Sequence, residues 1–350
     1  MQFRSSFRFV ASALVLALLP AVQLTAQHLT LEGQTGGFLT PTAYVVYTEN
    51  GHVFSHPAVG FHFIDASSVI GYIETISVTE GFANRAEAGY TRSVHQFGNQ
   101  PATPTTPLGL SNLWNYSGMN VFHGKVVAFN DGQFGPWMPG IAIGGLVRTG
   151  DHFVSGAANK TLTGTDKSYT NGDVYVSVTK TWAKPPVPFL LNVGWKATNA
   201  TIFGIGGQST RFGGRFFGGL GIPLPIGHGI VAVPSAGFTQ EPKTSANLNT
   251  LLNAALFQCE VALACNPASY PLMSAHLPTT LDYAVRVTQK DKPHFAFDIG
   301  VGQVAGNIGS IYVANPIFNP LNPATGPPVV TTPVNLQART VVGMGLSFRY

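Results

Sequence analysis

The sequence predicts an all-β chain, an antiparallel transmembrane β-barrel of about 12 strands (range roughly 10 to 14) with short periplasmic turns and long outer loops. Three observations predict it. Apolar and polar residues alternate over segments of nine or ten residues, the connections between segments alternate between short and long, and 45% of the chain is hydrophobic while only 10% is charged. An ordinary water-facing domain carries about a quarter charged residues. The 40 glycines follow no triplet period, which excludes collagen, and the abundant Phe, Tyr, Val, Ile and Leu exclude disorder.

At the N-terminus, Arg4 and Arg8 precede an apolar run from Phe9 to Leu19, and Leu24-Thr25-Ala26 closes on a small residue. That order is a secretory signal with cleavage after Ala26. The run is too short for a membrane-spanning helix, which needs about 20 residues, and no later apolar stretch reaches that length. Removing the two arginines takes the formal charge from +4 to +2. So small an excess gives no electrostatic basis for binding nucleic acid. Residues 1–26 are expected to be a cleaved signal peptide and 58–350 the barrel. The Gly-rich segment 27–57 between them is a lumen plug, a periplasmic arm or an extra strand.

The clearest strands can be tested residue by residue. Val342, Met344, Leu346, Phe348 and Tyr350 share one face, against Gly343, Gly345, Ser347 and Arg349 on the other. Leu281, Tyr283, Val285 and Val287 oppose Asp282, Arg286 and Thr288. Phe295 to Val301 and Phe189 to Ala197 alternate in the same way. Strands of this length suit a tilted crossing of a bilayer, whereas the usual soluble strand has about five or six residues. Noisier strands read at Ala58 to Ile64, Val69 to Thr79, Phe82 to Gln96, Asn120 to Phe129, Gly140 to Arg148, Asp173 to Trp182, Phe212 to Pro223 and Gly229 to Thr239. That makes twelve, an even number that puts both barrel ends on the periplasmic side. Counting back from a descending last strand, the long gaps at Gln240 to Thr279 and Ala305 to Ala338 fall outside, and Asp291-Lys292-Pro293 falls inside. Trp182, Trp195, Tyr72, Tyr90, Phe189 and Phe295 lie near strand ends, where interfacial rings gather.

The polar faces supply the candidate lumen residues Arg85, Glu87, His123, Lys125, Asn192, Lys196, Asp282, Arg286 and Asp298. If these charges pair across the barrel they neutralise a closed interior. If the basic set lines an open pore, it favours anions. A twelve-stranded interior is wider than a side-chain-filled eight-stranded one and narrower than a large porin, which implies a narrow or plugged channel. Cys259 and Cys265, six apart in an outer loop, are disulfide candidates in an exported chain. Ser245 to Leu263 has a short-helix pattern. His52, His56 and His62 lack the close spacing of a metal site, and no phosphate loop or catalytic triad is legible. No enzyme, metal or cofactor is expected.

The terminal strand with Phe348 and Tyr350 resembles the signature by which outer-membrane barrels are recognised by the barrel-assembly machinery, with Tyr350 where Phe is usual. Gly36-Gly37-Phe38-Leu39-Thr40-Pro41, Gly124-Lys125-Val126, Met138 to Gly144, Gly172 to Lys180 and Lys196 to Gly207 are similar, in order, to an uncharacterised family of Gram-negative outer-membrane barrels. Thr40-Pro41-Thr42-Ala43 more weakly resembles barrels associated with exopolysaccharide export. The resemblance implies the fold and the cell outer membrane, and it carries over no catalytic residues; the partners expected from the barrel pattern are outer-membrane lipid and, as candidate cargo, a polar solute or polysaccharide. The resulting expectation is a narrow or plugged channel or export conduit, with a structural or adhesive surface barrel as the alternative.

Overall fold

The computed structural model describes residues 28–49, 51–66, 71–96, 117–150, 170–183, 187–200, 208–241, 243–245, 274–276, 279–289, 295–304, 307–314, 321–322, 324, 326, 329–335 and 339–349. Seventeen strands follow in chain order. They are β1 (Ala58–Ala66), β2 (Gly71–Phe82), β3 (Ala86–Gln96), β4 (Ser117–Phe129), β5 (Gly140–Gly150), β6 (Thr170–Trp182), β7 (Phe189–Ala200), β8 (Gln208–Gly221), β9 (Leu224–Gly227), β10 (Ile230–Thr239), β11 (Lys243–Ser245), β12 (Ser274–His276), β13 (Thr280–Gln289), β14 (Phe295–Val304), β15 (Asn307–Ala314), β16 (Val329–Asn335) and β17 (Arg339–Arg349). Twelve of them are the staves of one closed antiparallel barrel: β1 to β8, β10, β13, β14 and β17. Closure joins the first stave to the last, with Ala58 opposite Arg349 and Phe63 opposite Met344.

The alternation read from the sequence is the alternation of the wall. In β13, Tyr283 and Val285 are exposed on the outside while Asp282 and Ala284 are buried inside. In β14 and β17, Ile299, Val301, Val342, Met344 and Phe348 form a continuous exposed apolar surface. So extensive an apolar belt on a barrel with no open edge has the character of a surface suited to acyl chains. Rings gather at the short-turn rim: Trp182 stacks on Phe189 at 4.6 Å, Phe295 meets Phe348 at 5.6 Å, and Phe54 meets Phe82 at 5.4 Å. Two small sheets, β11 with β12 and β15 with β16, stand in the two longest connections at the opposite rim, which the sequence pattern did not reveal.

Several boundaries differ from the sequence reading. The first inner turn lies at Ala83, Asn84 and Arg85, not at Glu80-Gly81, because β2 stays paired through Phe82 opposite Ala86. Ala83 and Asn84 take left-handed backbone (φ 50° and 55°) to make that turn. The inner connection before β10 is itself a hairpin: β9 pairs with Ile230 to Ala232, while β8 pairs only with Ser235 to Thr239. Pro234, which has no N–H to give to a ladder, sits at the change of partner, the kind of irregularity where strand proline is tolerated. The helix pattern from residue 246 onward and both cysteines lie outside the described residues, as does Tyr350; Ser245 itself ends β11.

If Val285 contacts acyl chains near mid-bilayer, Val285→Arg lowers stability by about 2 to 4 kcal/mol. Val285→Leu leaves it nearly unchanged. Urea unfolding in lipid vesicles measures both.

Candidate functional site

Residues 28–49 fold inside the barrel as a compact hairpin. Six backbone bonds are its own: Thr30 N–H donates to Gln34 O (2.7 Å), Leu31 N–H to Phe38 O (3.0 Å), Gly33 N–H to Thr30 O (2.9 Å), Gly36 N–H to His28 O (3.0 Å), Gly37 N–H to Thr40 O (2.8 Å) and Thr42 N–H to Thr35 O (3.1 Å). The turn at Gly33 has φ of 87°, and a side chain there would collide with Thr91, so glycine is required twice over. Thr79 Oγ1 donates to the Gly33 carbonyl at 2.7 Å. A hairpin with so few bonds of its own leaves much backbone unpaired in a dry lumen. The wall must supply partners.

It does so with charged side chains. Glu87 accepts from Thr35 N–H at 2.9 Å and Thr35 Oγ1 at 2.5 Å, accepts from Val46 N–H at 3.1 Å, and pairs with Lys125 at 3.1 Å. Lys125 Nζ donates in turn to the carbonyls of Thr35 (2.9 Å) and Thr42 (3.0 Å). Three ammonium protons and both carboxylate oxygens are thereby used, and neither side chain reaches solvent. Nearer the long-loop rim, Arg148 grips the hairpin's Glu32 through Nε (2.5 Å) and Nη2 (2.8 Å), and also holds Asp173 at 2.9 Å and Asn171 at 3.3 Å. On the other side, Arg286 Nε donates to Asp298 (2.9 Å) and its Nη2 to the Gly36 carbonyl (3.2 Å), while His28 Nδ1 lies 2.7 Å from Asp298. Asn192 Nδ2 donates to Pro41 O at 3.0 Å. Apolar packing adds a layer: Leu31, Phe38 and Leu39 of the hairpin meet Ile64, Ile73, Met119, Val121 and Leu146 of the wall.

At the short-turn rim the chain leaves through a polar collar. Tyr44 donates to Asp131 at 2.9 Å and lies 2.6 Å from Thr181 Oγ1, and Lys180 pairs with Asp131 at 2.6 Å. Burial pushes the Tyr44 phenol well above its ordinary pKa, so it keeps its proton for Asp131, leaving Thr181 to donate to the phenol oxygen. Next, Val46 passes directly over Gly81, where any Cβ would strike the Val46 backbone. Arg349 Nη1 donates to Tyr47 O at 2.9 Å.

The sequence-derived lumen residues separate clearly. Glu87, His123, Lys125, Asn192, Asp282 and Asp298 are buried and point inward, and Lys196 and Arg286 share that inner face, partly buried. Arg85 does not belong with them. It is exposed in the β2–β3 turn, 3.5 Å from Gln133, because the strand starts one residue later. Of the two alternatives for the charges, pairing is the one observed: Lys125 with Glu87, Arg148 with Glu32 and Asp173, Arg286 with Asp298. The basic residues therefore do not line an open anion path. Sequence reading missed Glu32, Arg148, Asp173 and His28. For Arg148 and Asp173 the alternation with the outward Val147 and Val174 was the available signal; for Glu32 and His28, in a segment without period, there was none.

The hairpin does not fill the lumen evenly. A cavity of about 90 Å³ remains between its Gly36 to Thr42 stretch and the wall of β7, β8, β10 and β13, lined by Asn192, Gly221, Val233, Ser235, Asp282 and Arg286 among others. Elsewhere large inner rings close the space over glycines, Tyr175 over Gly144 and Phe217 over Gly194. His28 also brings Ser347 Oγ (3.2 Å) and Asp298 together, but both approach the same ring nitrogen, Nδ1. Serine catalysis needs them on opposite nitrogens. Among the described residues no group of three or more His, Cys, Asp or Glu is placed to hold a metal.

No protein-family model matches the chain, and no curated protein matches it. Among solved structures the chain is similar to the KdgM porin (8% identity, 84% of this chain and 99% of that one, TM-score 0.39). It is also similar to the NanC porin (9%, 84% and 100%, 0.40) and to LpxR from Salmonella typhimurium (8%, 84% and 100%, 0.42). Likenesses this distant carry no argument about what the chain binds or moves. The likeness to exopolysaccharide-export barrels is not shown by any of them.

Lys125→Met strands Glu87 in the lumen and lowers stability by about 3 to 5 kcal/mol. Adding Glu87→Gln recovers most of the loss, because the remaining amide is neutral. Urea midpoints of the two variants in vesicles test this coupling.

Proposed function

We propose that the protein is an outer-membrane barrel that conducts a small polar solute along a narrow, partly plugged lumen. The observation that carries the reading is the lopsided seating of the hairpin. Its polar anchors engage β1 to β7, β13, β14 and β17, whereas the wall of β8 and β10, with the neighbouring part of β13 at Asp282, faces the remaining cavity. A barrel that served only as a scaffold would have no need for a cavity bounded by Asp282, Ser235 and Asn192. The pairing of Lys125, Arg148 and Arg286 with carboxylates supports a path without preference for anions. Placement in the outer membrane rests on the exposed apolar belt and on the export signal read in residues 1–26; Phe348, exposed beside Phe295, would present the assembly signal together with Tyr350.

Single-channel recording in planar bilayers tests the reading. The wild-type barrel is expected to give a small, steady conductance. Glu32→Ala, which frees one end of the hairpin from Arg148, is expected to raise or destabilise that conductance. A barrel that is correctly folded by heat-modifiable gel migration yet silent in both forms would overturn the conduit and favour a surface role for the long loops.

A further inference from the structure

Asp282 is a buried charged group that, among the described residues, the plug does not bond. It is 6% exposed on the inner face of β13, and among the described residues its Oδ1 has no hydrogen-bond partner. The wall makes room for it: Gly237 stands directly opposite on β10, and a Cβ there would lie 2.6 Å from Oδ1. The neighbouring cation is already occupied, since Arg286 serves Asp298 and the Gly36 carbonyl. A buried carboxylate without a donor is costly, by about 1 to 3 kcal/mol or more for a charged group. Here, however, the carboxylate borders a cavity with room for several water-sized groups.

The geometry points to a binding site for a small primary amine. Its ammonium would sit on Asp282, with hydroxyl and amide oxygens from Ser235, Thr40 and Asn192 at the same cavity, and its alkyl part would lie along Leu190, Val233 and Phe38. Arg286 and His28 also line the cavity, but both are engaged by Asp298; the unengaged groups are one carboxylate, neutral oxygens and carbon, which suit a monovalent organic cation. A divalent metal ion needs six or more oxygens, several of them charged. The cavity's mixed wall also separates an amine from a sugar, whose many hydroxyls would leave most of their bonds unmade against Leu190, Val233 and Phe38. This deepens the conduit reading, on which it rests, by naming the class of solute.

Titration calorimetry of the full folded chain in detergent tests it, with n-butylammonium and n-butanol as probes of matched shape. Wild type is expected to bind the amine about tenfold or more tightly than the alcohol. Asp282→Asn is expected to abolish that preference, and Ser235→Leu, which fills the cavity from β10 and leaves Asp282 intact, is expected to weaken both probes. Equal binding of amine and alcohol by wild type, or undiminished amine preference in Asp282→Asn, overturns the proposal. If Asp282→Asn fails to fold, the wild-type comparison and Ser235→Leu decide. A conductance that n-butylammonium leaves unaltered removes the amine and leaves the conduit standing; amine binding by a barrel that passes no current does the reverse.

Discussion

An extended backbone inside a dry lumen must have its N–H and C=O groups answered, and one buried ion pair answers four of them here, more than any other pair of wall side chains among the described residues. Glu87 and Lys125 face each other from β3 and β4, and their remaining valences go to the main chain of Thr35, Thr42 and Val46. A carboxylate accepts and an ammonium donates, so the pair satisfies donors and acceptors of the same hairpin at once. In low dielectric, either charge alone would be a liability. Together, saturated, they fix the hairpin's depth and rotation, and the grips of Arg148 on Glu32 and of Arg286 on Gly36 operate around that centre.

The same two-residue period serves both solvents of the wall. Outward positions such as Val285, Ile299 and Met344 are exposed on the apolar belt, and the next residue along each strand faces the lumen. The lumen is layered as well. Leu31, Phe38 and Leu39 pack among Ile73, Met119 and Leu146, and the saturated ion pairs bind the hairpin alongside that layer. Burial of an aliphatic side chain contributes about 1.5 to 3 kcal/mol, comparable to a well-made charged hydrogen bond. Apolar and ionic contacts therefore share the work of holding the segment.

Much of this was legible in the chain. The faces of β13, β14 and β17 follow from alternation alone, because a strand buried on one side and lipid-facing on the other has its period imposed by two environments. Arg85 was misplaced because the local pattern around Phe82 continues smoothly through a turn made by Ala83 and Asn84; Asn84 is a residue that takes left-handed backbone readily, but Ala83 before it gives no such signal. Inward apolar residues such as Met119 and Val121 blurred the pattern in β4, since the plug offers them carbon where a water-filled pore would not. The seating of residues 28–49 had no local signature at all. It depends on partners as far away in sequence as Asp298 and Ser347.

Pro234 gives the wall a soft place. Between Ala232, bonded toward β9, and Ser235, bonded toward β8, the strand changes neighbours at a residue that cannot donate, with only the Pro234 carbonyl held by Ile222 N–H at 2.9 Å. The residues on either side of it, Val233 and Ser235, border the lumenal hollow. Mechanical compliance is thus concentrated at the hollow's own edge, where a small outward flexing of two staves would widen the space while the heavily bonded seams on the opposite side stay taut.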